Sequence, residues 1–186
     1  RGEFKIAGEW GQFDDLTSWN GDPFGALVGI AFLWEGDRGN AVGAVANKRD
    51  FSLTADVTLD FGGANLFAWG VWRRVDNTGG VEDQDQWGFM VQGGIFVVPD
   101  EFELFARYEY GDLDEGALGL DNTRLSVVSG GVNWYFGKNA AKFTTDVGYA
   151  FNSISGAWAD SGAGYLEDGT DQDGQFVWRA QFQLLF

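Results

Sequence analysis

Residues 175–186, QFVWRAQFQLLF, constrain the fold of this chain more than any other stretch. Apolar side chains fill every second position from Phe176 to Phe186, whereas Gln175, Arg179, Gln181 and Gln183 fill most positions of the opposite phase. A period of two is the spacing of side chains that share one face of a β-strand. The segment is therefore predicted to be a strand with one aromatic face and one polar, charged face.

The position of this strand at the end of the sequence adds a second expectation. The ends of soluble proteins are usually loosely held, so a strongly hydrophobic final strand is unusual in them. A membrane β-barrel must pair its last strand with its first, because an open edge is not tolerated there. A final strand that ends on Phe186 therefore favours a barrel in the bacterial outer membrane.

The same alternation recurs along the chain and predicts about nine antiparallel strands of about ten residues. It is cleanest in FSLTADVTLD, residues 51–60. Tight turns at Gly62–Gly63, Pro99–Asp100 and Gly137–Asn139 alternate with longer, acidic connections, as the short turns and long loops of outer-membrane barrels do. Residues 11–23 do not fit, because they are long for a tight turn. They could form a turn, extend a strand or contact a plug.

Composition agrees with an all-β chain that faces lipid. Aromatic residues make up 17% of the 186 residues, a length that suits one domain. No run of about 18 apolar residues is present, so no membrane-spanning helix is predicted. A soluble β-sandwich would also show alternating strands. Aromatic residues near the strand ends favour the membrane barrel instead, because such residues form girdles at both interfaces.

Two absences and the net charge exclude several functions. The sequence contains no cysteine and no histidine, which removes disulfides, thiolate metal sites and the usual general bases and nucleophile systems. We therefore expect no enzymatic activity. The formal net charge of -16 disfavours binding to nucleic acid.

Several segments taken together resemble the C-terminal half of phosphate-selective porins of the O/P family, most closely planctomycete-like members. They are DFGGANLFAWGVWRR, QWGFMVQGGIFVVPDEFELFARYEYGD, LSVVSGGVNWYFGKNAAKFTTDVGYAFN and QFVWRAQFQLLF. The resemblance implies a transmembrane barrel of roughly sixteen strands, assembled as a homotrimer, that passes small anions through a lumen lined by arginine and lysine. Residues 1–186 would then be the C-terminal portion of one barrel domain.

The polar faces of the predicted strands supply the candidate pore-lining residues. The basic candidates are Lys5, Arg74, Arg107, Lys142 and Arg179. The acidic candidates are Glu3, Glu9, Asp56, Asp60, Glu103, Glu109 and Asp146. Positive charge is not in surplus among them, so the residues themselves favour a general diffusion pore for small hydrophilic solutes or ions. A preference for anions or phosphate is implied by the resemblance alone.

A second hypothesis makes the barrel an anchor for a structural or adhesive surface protein. Its acidic extracellular loops would bind Ca²⁺ or a surface partner, and the candidate cation ligands are Asp168, Asp171 and Asp173. Their spacing does not match an EF-hand, and solvated loop tips would give the same pattern. No other cofactor is expected, and the expected partners are outer-membrane lipid and small solutes.

Overall fold

The computed structural model describes residues 1–36, 49–76, 82–114, 123–159, 164–168 and 174–185. Within these ranges the chain forms one antiparallel sheet of nine strands, ordered as they follow one another in the sequence. The strands are β1 (Gly2–Ala7), β2 (Gly25–Glu35), β3 (Arg49–Asp60), β4 (Ala64–Asp76), β5 (Gln84–Val98), β6 (Phe102–Asp112), β7 (Arg124–Tyr135), β8 (Ala141–Ala150) and β9 (Gln175–Leu184). The prediction of an all-β chain of about nine antiparallel strands is confirmed.

The register sorts the side chains onto two different faces. Direct partners across an antiparallel ladder share a face, and one row of partners runs Ile30, Ala55, Gly70, Phe89 and Tyr110. We call this side the apolar face. Its large side chains are open to the surroundings: Phe32, Phe176 and Trp178 are 76, 73 and 73% exposed. The opposite side, the polar face, carries most of the charged strand residues.

Three tight turns lie together at one end of the sheet, which we call the turn end. They join β3 to β4, β5 to β6 and β7 to β8, at the three predicted places. Gly62 and Gly63 have φ of 67° and 110°. These values lie in the left-handed region, which glycine enters without a steric penalty. The longer connections between β2 and β3, β4 and β5, β6 and β7, and β8 and β9 lie at the other end, the loop end.

Residues 8–24, between β1 and β2, form a crossing segment at the turn end. The segment begins with a 3-10 helix (Trp10–Asp14) and then contacts all three tight turns. The amide of Gly62 donates to Ser18 Oγ at 3.0 Å, and the amide of Asn20 donates to Asp100 Oδ1 at 2.8 Å. Asn139, in the third turn, donates from Nδ2 to Asp15. The misfit noted in the sequence is therefore neither a tight turn nor a strand extension.

These contacts require the sheet to curl. Six strand spacings of ~4.8 Å separate β1 from β7, about 29 Å across a flat sheet. The chain from Ala7 to Asp15 includes the 3-10 helix, which rises only ~2 Å per residue, so it reaches about 20 Å. Asp15 nevertheless accepts a hydrogen bond from Asn139, in the turn that follows β7. Two residues further on, Thr17 lies 3.2 Å from Tyr135 at the end of β7, oxygen to oxygen. Tyr135 belongs to the polar face, so that face is on the inside of the curl.

A second segment folds inward at the loop end. This inward loop (residues 151–159 and 164–168) contains one helical turn, Gly156–Ala159. Ile154 and Tyr165 are 1% and 6% exposed and pack against Val127 of β7 and Ala150 of β8. Together they form a hydrophobic cluster on a face that is otherwise largely polar.

The two outer strands of the sheet keep one free edge each. The ladders run without a break from β1 to β9, and no ladder joins β9 to β1 within the described ranges. Among the described residues no helix is long and apolar enough to cross a membrane.

Candidate functional site: the polar face of the sheet

The register places all but two of the predicted pore-lining residues on the polar face. One row of partners contains Lys5 and Arg107, and another contains Asp60, Asp146 and Arg179. The remaining members on this face are Glu3, Asp56, Glu103, Glu109 and Lys142. That this face lines a pore stays a prediction.

Arg74 is the first of the two exceptions. It pairs across the ladder with Phe51, which in turn pairs with Trp34, so it lies on the apolar face. There, near the loop end, it contacts Asp76 at 2.9 Å and Asp85 at 3.1 Å. The prediction that Arg74 faces the polar side was wrong, because β4 carries large apolar side chains on both of its faces.

Arg73 takes the place on the polar face that had been predicted for its neighbour. It pairs across the ladder with Ser52 and Gln86. Its Nε donates to Asp50 Oδ2 at 3.0 Å, and its Nη1 donates to Gln86 Oε1 at 3.3 Å. The basic residue that β4 contributes to this face is therefore already paired.

Glu9 is the second exception. β1 ends at Ala7, and Glu9 immediately precedes the 3-10 helix of the crossing segment. Its amide donates to Gln12 Oε1 at 2.7 Å, and its side chain is exposed. The sequence pattern continued the strand two residues too far, since the alternation of EFKIAGEW persists after the ladder has ended.

Several charges on the polar face are neutralised by direct contact. Arg179 Nε donates to Asp146 Oδ2 at 3.0 Å across the β8–β9 ladder. Arg1 Nη2 contacts Asp56 Oδ1 at 2.8 Å, and Arg1 Nε contacts Glu3 Oε1 at 2.9 Å. Such pairs reduce the net charge that this face presents.

Glu103 lies on the polar face but is only 3% exposed. Three neutral groups donate to its carboxylate: Asn65 Nδ2 at 2.9 Å, Asn133 Nδ2 at 2.8 Å and Tyr135 Oη at 2.7 Å. Asn133 also accepts from Thr144 Oγ1 at 2.6 Å. These contacts connect β4, β6, β7 and β8. They give Glu103 a structural role.

Arg107 and Lys142 face one polar cavity of about 420 Å³, which we call the turn-end cavity. Arg107 donates to the neutral Gln92 Oε1 from Nε at 2.8 Å and from Nη2 at 2.6 Å. The nearest ion-pair contact of Arg107, to Glu109 Oε1, is long at 3.9 Å. Lys142 Nζ lies 5.8 Å above the centre of the Tyr135 ring and forms no ion pair within the described ranges. Both cations therefore keep much of their charge toward this cavity.

A second cavity, of about 350 Å³, lies between the inward loop and the polar face. We call it the loop-end cavity. Trp69, Met90 and Trp158 line it, so it is largely apolar, unlike the turn-end cavity. Trp158 Nε1 donates to the Thr123 carbonyl at 2.9 Å, which fixes the indole over β6. Sequence reasoning missed this cavity, although apolar residues at 154, 158 and 165 within an acidic loop were a readable signal.

Tyr165 closes one side of the loop-end cavity. Its hydroxyl is buried without a hydrogen-bond partner among the described residues, and it occupies the space that the absent side chain of Gly148 leaves. Burial raises the pKa of the Tyr165 phenol. The phenol therefore remains protonated and able to donate a hydrogen bond.

The predicted cation ligands can be assessed only at Asp168, because Asp171 and Asp173 lie outside the described residues. Asp168 Oδ2 accepts from the amide of Ile154 at 3.2 Å, and its Oδ1 accepts from Gln175 Nε2 at 3.3 Å. This carboxylate therefore holds the inward loop to β9. In the part of the chain that the structure describes, no group of three or more acidic side chains is arranged to hold a metal ion.

Comparison with known proteins gives no relative. No protein-family model matches the chain, and neither a curated protein nor a solved structure matches it. The resemblance to phosphate-selective porins stays a prediction, and the function must be argued from the sheet itself.

Proposed function

We propose that this chain is part of the wall of an outer-membrane β-barrel through which small hydrophilic solutes and ions diffuse passively. The observation that carries the proposal is the division of one long sheet into a continuous apolar face and a charged face.

The apolar face suits contact with lipid. Exposed large hydrophobic side chains lie on it from Phe4 on β1 to Phe182 on β9. A soluble protein rarely exposes an apolar patch of more than a few hundred Å², because water disfavours it. From β2 to β9 the strands contain between 10 and 15 residues, enough to cross the hydrocarbon region when tilted. Lipid is the environment that this surface fits.

The free edges of β1 and β9 imply further strands. In lipid every backbone N–H and C=O group needs a partner, so an open sheet edge is not stable there. In the proposed barrel both edges pair with strands beyond these nine. The resemblance implies roughly sixteen strands in all and a homotrimeric assembly. The sheet curls with its polar face on the inside, which is the direction of curvature that closure into such a barrel needs.

The polar face supports diffusion with weak charge selectivity. Arg107 and Lys142 present positive charge to the turn-end cavity, whereas Glu103 and Asp15 face the same cavity with their carboxylates held by neutral donors. The opposing charges leave no surplus of either sign. A preference for anions would therefore depend on Lys142 and Arg107, the two cations that line this cavity.

The alternative, an adhesive barrel with Ca²⁺-binding loops, has less support. The one predicted ligand that the structure describes, Asp168, is already engaged by Ile154 and Gln175. No contact of the described residues favours this function over diffusion.

Conductance of the full-length protein in a planar lipid bilayer tests the proposal. We expect ion-sized current steps, and a protein that inserts without any steps would contradict diffusion. The variant Lys142→Glu should shift the permeability ratio of K⁺ to Cl⁻ toward the cation by about threefold or more. One unit charge about 5 Å from an ion contributes ~0.8 kcal/mol even in water, before screening by salt.

Lys138→Glu provides a matched control. Lys138 lies four residues earlier, in the β7–β8 turn, and its Nζ is 5.2 Å from the centre of the Trp19 ring instead of lining the turn-end cavity. The substitution changes the net charge equally. Equal shifts in the two variants would mean that the turn-end cavity does not determine selectivity.

A further inference from the structure

We propose that the loop-end cavity binds a small bicyclic aromatic molecule that carries one N–H or O–H donor, with Glu109 as the acceptor. This site is separate from the turn-end cavity, and its occupancy does not depend on whether the barrel conducts ions.

Two glycines at adjacent positions in the sheet create the cavity. In one row of the register Val71, Gly88, Gly111 and Leu125 are consecutive partners on the polar face. The two glycines leave a hollow in this row because they have no side chains, and Val71 and Leu125 form its ends. Trp158 enters above the hollow, where its Cη2 lies 2.6 Å from the position that a Cβ on Gly111 would take. A side chain there would exclude the indole.

The next row of the register forms another part of the cavity floor. It includes Glu109, which is the one carboxylate on the polar face among the strand residues that line the cavity. Trp69, Met90, Glu109 and Val127 are consecutive partners in this row. The two tryptophans, one from the floor and one from the inward loop, offer flat surfaces for an aromatic ring. A site of this kind, apolar with a few placed polar groups, is typical of small-molecule binding.

The volume and the polar groups define the class of ligand. A cavity of 150 Å³ in another protein accommodates one benzene ring, so about 350 Å³ has room for two fused rings. Glu109 accepts but cannot donate when ionised, and its only ion pair in the described part of the chain is the 3.9 Å contact to Arg107. A ligand that hydrogen-bonds to Glu109 must therefore bring a donor. Anionic molecules are disfavoured by Glu109 and Asp112 in the lining, where the charge of Arg73 is already paired with Asp50.

Indole and 1-methylindole are a suitable pair of probes, because they share their rings but only indole has an N–H donor. Binding is measured by equilibrium dialysis of radiolabelled probe against the full-length protein, with detergent in both chambers so that partition into micelles cancels. We expect saturable binding of indole. Glu109→Gln should weaken it about tenfold, since a hydrogen bond to a charged group is lost. Binding of 1-methylindole should change less than about twofold.

A second variant tests the location. Val71→Phe places a ring inside the cavity and should abolish saturable binding of both probes. Val91→Phe makes the same change on the apolar face of β5, where Val91 is 39% exposed, and should leave binding unaltered. The proposal is overturned if indole does not bind saturably, if the two phenylalanine variants bind it alike, or if Glu109→Gln affects both probes equally. A folded Glu109→Gln protein keeps the proposal testable should Val71→Phe not fold.

Discussion

The hydrogen bonds around Glu103 lead to a quantitative prediction for the stability of the sheet. Replacing Glu103 with alanine removes the common acceptor of Asn65, Asn133 and Tyr135. A hydrogen bond to a charged group contributes at least ~1.5 kcal/mol, and a buried donor without a partner loses it in full. Tyr135 retains its contact with Thr17 at 3.2 Å, which offsets part of the loss. We expect the free energy of unfolding to fall by about 3–5 kcal/mol.

The isosteric variant Glu103→Gln should lower the free energy of unfolding far less, by about 1 kcal/mol. Its carbonyl oxygen can still accept from Asn133 and Tyr135, while its amide faces Asn65. The Oδ1 atom of Asn65 has no partner in the native arrangement. Rotation of the Asn65 amide by half a turn therefore lets Oδ1 accept from the glutamine. Only the added strength that the charge gives these bonds is lost.

The assay is equilibrium unfolding by guanidinium chloride of the full-length protein in detergent, followed by tryptophan fluorescence. Glu109→Ala is the matched control, because Glu109 lies on the same strand and the same face with its side chain 37% exposed. We expect that control to change the unfolding free energy by less than about 0.5 kcal/mol. If the unfolding free energies of Glu103→Ala and Glu109→Ala differ by less than about 1 kcal/mol, the hydrogen bonds around Glu103 do not stabilise the sheet as argued.

Two further predictions concern the segments that fold against the polar face. Gly111→Ala should displace Trp158 and lower the free energy of unfolding by about 1–3 kcal/mol. The displacement is measured as a shift of the Trp158 indole N–H resonance. Gly70→Ala is the control and should not shift this resonance, because the atom nearest to the added Cβ is 3.7 Å away. Trp19→Ala should detach the crossing segment and raise single-channel conductance. The substitution removes ring contacts with Phe96 at 5.4 Å and Tyr135 at 5.0 Å and the cation–π contact with Lys138, which together contribute about 2–3 kcal/mol. Unchanged conductance would show that the crossing segment does not narrow the proposed pore.

The strands and turns could be predicted from the sequence because both are local properties. Alternation in residues 51–60 and 175–184 reflects one buried or lipid-facing side and one polar side, and this holds whatever the partner strand. The turn at Gly62–Gly63 requires positive φ at both residues, which a pair of glycines supplies. These features need no knowledge of the rest of the chain.

The face of β4 could not be read in the same way. Trp69 and Val71 occupy one phase of this strand while Leu66 and Trp72 occupy the other, so hydrophobicity does not decide between them. The decision comes from pairing: β4 is in register with β3, whose own alternation is unambiguous. A strand with apolar residues on both phases is fixed by its neighbours, which is why Arg74 was assigned to the wrong face.

The two segments that fold inward depend on contacts that are distant in sequence. Thr17 meets Tyr135 across a separation of 118 residues, and Asp15 meets Asn139 across 124. Local pattern carries no information about such pairs. The signal that was available is complementary size: Trp158 and Tyr165 are large residues in an acidic loop, and Gly111 and Gly148 are the gaps that receive them.

In the proposed pore, the placement of these segments would make net charge a poor guide to selectivity. The crossing segment lies against the turn end of the polar face and the inward loop against its loop end, so a solute moving along the face of such a pore would pass the stretch between them. Arg107, Lys142 and Arg179 all face this stretch, where Arg179 is paired with Asp146 but the other two are not paired closely. In the proposed pore, an ion in this stretch would meet Arg107 and Lys142, but also Glu103 and Asp15, which line the same cavity. The formal net charge of -16 is counted over the whole chain and therefore does not by itself predict the charge that this stretch presents.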